Sequence, residues 1–128
     1  MGNIRLISNN PLVLEKYPSH TQVVTGGVAQ VYEAARDEIH RGAVLINHPL
    51  AGSIKPNQSP YRSLVLSLTP GRGIDMDSLD LIEGAIQTLN RLPKLNRQYA
   101  ERTMEDFRFV DFSLLEAAAT ALPAKYYF

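Results

Sequence analysis

The chain has 128 residues, 45% of them hydrophobic, and its 13 basic residues balance 13 acidic ones. That length suits one α/β domain covering residues 1–128, with enough apolar material for a core. The neutral balance speaks against a nucleic-acid partner, which usually calls for a basic excess. No cysteine is present, which excludes disulfides, thiolate metal sites, iron–sulfur clusters and a cysteine nucleophile. No apolar run approaches the ~20 residues needed to cross a bilayer, and the first residues do not read as a signal peptide. The expected location is cytoplasmic, with no membrane partner.

In chain order, Ile4-Arg5-Leu6-Ile7 reads as a short strand closed by the polar Ser8-Asn9-Asn10. Asn9 or Asn10 can cap a helix with Pro11 at its first position, where a missing N–H costs nothing. Pro18 ends that helix. Thr21-Gln22-Val23-Val24 is a second strand, and Thr25-Gly26-Gly27 turns into a helix whose face carries Val28, Val31, Ala35 and Ile39. Ala43-Val44-Leu45-Ile46 is a continuous apolar run, as expected of a strand buried on both faces.

Residues 47–61 hold three prolines and one glycine and form no regular element. Residues 62–68 are a fourth strand, and 70–73 a turn. Asp75 or Asp77 caps a helix with Leu79, Ile82, Ile86 and Leu89 on one face. From residue 100 to 122 apolar residues recur near helical spacing, at Met104, Phe107, Val110, Leu114 and Ala118, with Asp111 as a possible second cap. The chain closes on the aromatic Tyr126-Tyr127-Phe128.

Strands alternating with helices predict a small three-layer, Rossmann-like domain. Its four-stranded sheet is mostly parallel and its last elements are helices. The fourth strand is left free to pair either way. In such a sheet the carboxyl ends of strands one to three share one edge, where ligands of open α/β sheets bind. Asn9 and Asn10, Gly26 and Gly27, and the start of the long loop leave from that edge. The loop adds His48, Ser53, Lys55 and Asn57, an imidazole, a hydroxyl, an ammonium and a carboxamide within ten residues. Long loops without secondary structure in compact domains are often functional. These eight residues are the candidate ligand-binding set.

Other chemistries lack a pattern. There is no G-x-G-x-x-G and no G-x-x-x-x-G-K-[ST], so neither a dinucleotide cofactor nor a P-loop nucleotide is expected. His20, His40 and His48 show no metal-ligand spacing. A Ser53 nucleophile would need a base and an orienting acid that the sequence does not nominate.

The run His48-Pro49-Leu50-Ala51-Gly52-Ser53-Ile54-Lys55-Pro56-Asn57, with Ser59-Pro60-Tyr61-Arg62-Ser63 and the earlier Asn9-Asn10-Pro11, resembles the GrdX family. The resemblance is strongest over the first strand and the central loop, and Ser8 stands where the family pattern suggests Thr. It implies a cytoplasmic accessory role beside the glycine, sarcosine and betaine reductase components of amino-acid-fermenting anaerobes. The missing cysteine argues against a direct redox part.

Three readings follow. The first is a binding or accessory protein that takes a small polar or anionic ligand, or a reductase component, at the 48–57 loop. The second is a small cofactor-free enzyme using His48 as acid/base with Lys55 as electrostatic stabiliser. The third is a homodimeric interaction module joined through the aromatic tail.

Overall fold

A computed structural model describes the chain except for residues 1, 53, 69–72, 96–97, 124–125 and 128; the side chains of residues 2 and 124–128 are also left undescribed. Its elements in order are β1 (Gly2–Ser8), α1 (Pro11–Lys16), β2 (Thr21–Val23), α2 (Val28–His40), β3 (Val44–Leu45), β4 (Ser63–Leu68), α3 (Met76–Arg91), α4 (Glu101–Thr120) and β5 (Tyr126–Tyr127). The caps follow the local chemistry. The Asn10 side chain accepts from Leu12 N–H with Pro11 first in α1, and Asp75 accepts from Ser78 N–H at the start of α3.

The mostly parallel, Rossmann-like sheet is not what forms. The strand order is β2-β1-β4-β3, with β5 added to β1. β1 pairs with β2 and β5 in parallel, but β4 lies antiparallel to both β1 and β3, and the six-residue β1–β4 register is the longest pairing. The reason lies in the 46–62 connection. It contains no helix, so it cannot make the crossover that a parallel neighbour of β3 would need. β4 therefore inserts between β1 and β3. Those two still run the same way, so the carboxyl ends of β1, β2 and β3 do share one edge, together with the start of β4.

β3 is also not the central, doubly buried strand. It is a two-residue edge strand, and the doubly buried run is β4. Alternation along β1 and β4 sends side chains to two cores. Ile7, Leu64 and Leu66 pack with Val31, Tyr32, Ala35 and Ile39 of α2 and Ile82 of α3. Ile4, Leu6 and Val65 pack with Val13 of α1 and Leu115 of α4.

α4 runs unbroken through Asp111, which is not a second cap. Its inward side carries Asp111, Leu115, Phe112 and Ala118, while Phe109, Val110 and Leu114 are exposed. The expected stripe through Val110 and Leu114 is thus rotated by about one residue. Tyr126 and Tyr127 align with Gly2 and Asn3 of β1, and the burial of their rings, like Phe128, lies outside the described residues. None of the described helices is long and apolar enough to cross a membrane.

Candidate functional site

The carboxyl edge of the sheet is tied together by side-chain amides. Asn9 donates to the carbonyls of Gly26 and Pro60, at 3.0 and 2.8 Å, and its Oδ1 accepts from Arg62 N–H at 2.9 Å. One carboxamide thereby joins the exits of β1 and β2 to the entry of β4. Asn47 does the same one strand over. Its Oδ1 accepts from Val65 N–H and its Nδ2 donates to the Ser63 carbonyl, so it extends the β3–β4 ladder after the β3 backbone departs.

Below this edge lies a buried polar circuit. Ser8 and Ser63 are register partners, with hydroxyls 2.7 Å apart. The Ser63 hydroxyl donates to Asp111 Oδ2 at 2.6 Å, and the Ser8 hydroxyl receives Asn10 N–H. Asn10 Nδ2 donates to the same Asp111 oxygen and to the Arg108 carbonyl. With Ser63 spent as donor on Asp111, the Ser8 hydroxyl donates to Ser63, which gives the chain one direction. Buried hydrogen-bonded networks of this kind favour a unique arrangement. Burial pushes the Asp111 carboxyl above its ordinary range, opposed by the hydrogen bonds from Ser63 and Asn10 and by the charge of Arg62.

Arg62, 6% exposed, grips the long loop from inside. Its guanidinium donates to the carbonyls of Ala51 and Ile54, at 3.1 and 3.5 Å. The buried Tyr32 hydroxyl donates to the Pro49 carbonyl at 2.7 Å, and burial raises its pKa while the charge of Arg62 lowers it. Gly52 sits at φ +99°, and a Cβ there would fall 2.8 Å from Leu114 Cδ1 of α4. The positive φ favours glycine where loop and helix meet, and a Cβ there would push aside the flexible end of the Leu114 side chain.

The expected ligand set therefore divides. Gly27 and Asn57 share a cleft of about 420 Å3, formed by the start of α2, residues 56–60 and the segment after α3 that carries Lys94. Asn57 Nδ2 donates to the Pro93 carbonyl, and its Oδ1 is buried with no partner among the described residues. A second groove of about 570 Å3 continues from Asn57 past Tyr99 to Met104. Asn9, Asn10 and Gly26 line neither and serve as scaffold. His48 is exposed, accepts Leu50 N–H at Nδ1, and lines a separate small cavity with Arg62 and Asp111. Lys55 is exposed and lines none of these cavities, so its ammonium does not join Asn9, Asn10 or the cleft. Ser53 lies outside the described residues. A third groove, of about 520 Å3, lies at the opposite end of the sheet near His20 and Leu68.

The first N–H groups of a helix have no intrahelical acceptor. In α2 the Gly27 N–H is taken by Gln30 Oε1, and those of Gln30 and Val31 by the Gly27 carbonyl. This leaves the N–H groups of Val28 and Ala29, residues of the cleft wall. No acidic side chain is among the lining residues. The cleft is thus suited to negative charge by the helix dipole and by Lys94.

Comparison with protein-family models matches residues 5–120 to the GrdX-like protein family. The chain belongs to that family. The match runs well past the first strand and central loop and takes in all of α4, where Asp111 lies. Searches of curated proteins and of solved structures found no match.

Sequence reasoning missed Arg62, Asp111 and Lys94. Arg62 stood in the motif but was read as a strand residue. Asp111 had a signal, an acid lying between apolar helix positions, which marks a buried charge as readily as a cap.

Proposed function

We propose that this GrdX-like chain is a binding or accessory protein of glycine, sarcosine or betaine reductase systems. In this reading it holds a small polar or anionic ligand, or an acidic segment of a reductase component, in the cleft between α2 and residues 56–60. Family membership supports the association with those systems. The observation that supports the chemistry is the cleft itself, with two helix N–H groups and Lys94 and no carboxylate on its wall. A catalytic reading finds less support, because the His48 Nδ1 is engaged by Leu50 N–H and the hydroxyl on the cleft wall, that of Ser59, donates to the Tyr61 carbonyl.

The test is the affinity of purified reductase components, and of inorganic phosphate, for wild type and for Lys94→Glu. A charge-assisted contact is worth about 1.5–3 kcal/mol, so Lys94→Glu is expected to weaken binding about tenfold or more. Equal affinities for the two proteins would overturn the reading.

A further inference from the structure

A second site lies on the other side of the long loop, independent of the cleft. The Arg62 guanidinium, 6% exposed, borders a cavity of about 60 Å3 whose other polar walls are Asn47, His48, Ser63 and Asp111. Leu114 and Leu115 of α4 form its apolar wall. Two guanidinium nitrogens are spent on the carbonyls of Ala51 and Ile54. The third, Nε, is buried and has no acceptor among the described residues.

An unpaired buried donor on a charged group is costly, and native proteins seldom keep one without a resident partner. A water's share of liquid volume is about 30 Å3, so the cavity has room for about two waters or one anion of three or four heavy atoms. Asp111 is the acidic side chain on the wall, but it makes no ion pair with Arg62 within 4.0 Å, and its Oδ2 is held by Ser63 and Asn10. The charge of Arg62 is thus balanced only at a distance. When Asp111 takes a proton, that balance is lost.

We propose that this cavity is a proton-linked site for one compact monovalent anion, which lies against Arg62 and enters together with a proton on Asp111. The charges close. Arginine cation and aspartate anion sum to zero before, and arginine cation, neutral acid and bound anion sum to zero after.

The groups that face Asp111 and Arg62 can be named from each side. Arg62 itself comes from the start of β4, and His48 from the loop. Tyr61 borders the adjoining pocket, and Tyr32 of α2 senses the Arg62 charge. On α4, Arg108 is paired with Glu101 and with the Tyr61 hydroxyl. α1 brings no titratable side chain to the circuit, where Asn10 is its cap. His48 is therefore the side chain whose replacement serves as the control.

The experiment follows the Arg62 Nε–H resonance of 15N-labelled protein during titration with sodium formate, from about pH 5 to about pH 7.5. Sodium gluconate, too large for the cavity, holds the ionic strength. Uptake of one linked proton raises the affinity by up to about tenfold for each unit fall in pH. Asp111→Asn, fixed in the neutral form, is expected to bind formate about tenfold or more tightly than wild type at neutral pH, without pH dependence. His48→Gln is expected to keep the wild-type slope, and benzoate to produce no shift. Arg62 variants are not needed, because a gain of binding in Asp111→Asn cannot come from misfolding. The proposal is overturned if formate gives no saturable shift in Asp111→Asn. Wild-type affinity independent of pH, or a slope that vanishes in His48→Gln, would overturn it equally.

Discussion

The long loop has two sides that differ in what they ask of the chain. Its inner side is held by Arg62, the Tyr32 hydroxyl and the close approach of Gly52 to Leu114, and almost every polar atom there has a partner inside the protein. Its outer side, from Pro56 to Pro60, borders the open cleft with Asn57 and the start of α2. The first side is built for position and the second for contact. The residues whose chemistry draws the eye, His48 and Lys55, belong fully to neither.

If the inner side is scaffold, its variants should act on stability. Arg62→Met leaves the carbonyls of Ala51 and Ile54 without their donor and Asp111 without nearby positive charge. A hydrogen bond from a charged donor is worth about 1.5–3 kcal/mol, so urea unfolding should show a loss of that order. A loss below about 1 kcal/mol would remove Arg62 from the scaffold.

Gly52→Ala forces a side chain into positive φ and against Leu114, a cost of about 1–3 kcal/mol. Leu114→Ala in the same chain relieves the clash but not the backbone conformation. The double variant should therefore recover part of the loss and not all of it. Full recovery would show that contact alone makes Gly52 necessary.

Asp111→Asn probes the buried circuit through pH. Burial holds the folded-state pKa of Asp111 above the ordinary carboxylate value of 3.8. The folded protein thus binds its proton more readily than the unfolded chain does. The contribution of this proton to stability is complete below about pH 3.8 and is lost as pH rises through the folded value. Wild type should lose ground to Asp111→Asn as pH rises from acid toward neutral, read as the difference between their unfolding midpoints. A difference that moves the other way would place the ionised carboxylate as the favoured form. Lys55→Ala, at an exposed side chain, should change stability by no more than about 0.5 kcal/mol.

The local rules were readable from the residues. Asn10 with Pro11 marked the start of α1, and Val28, Val31, Ala35 and Ile39 marked the buried face of α2, because caps and helical spacing are local physics. Strand pairing was not. Whether β4 follows β3 or inserts beside β1 depends on contacts across more than fifty residues, such as Ser8 with Ser63. The doubly buried strand was sought in β3 because four apolar residues run together there. Yet β4, which opens on a serine, fills that place by bonding the Ser63 hydroxyl inside. The loop was recognised as special from its composition. Its division into a gripped side and an open side rests on Arg62, Lys94 and Asp111, and the partners of Asp111, Ser63 and Asn10, lie 48 and 101 residues away in sequence.

The most direct check of that division is an amide shift map of 15N-labelled protein titrated with a purified reductase component. Shifts at Val28, Ala29, Asn57 and Lys94, with Asn9, Asn10 and Asp111 unmoved, are the expected result. Shifts concentrated on the inner side of the loop, or around His20 and Leu68 at the far end of the sheet, would contradict it.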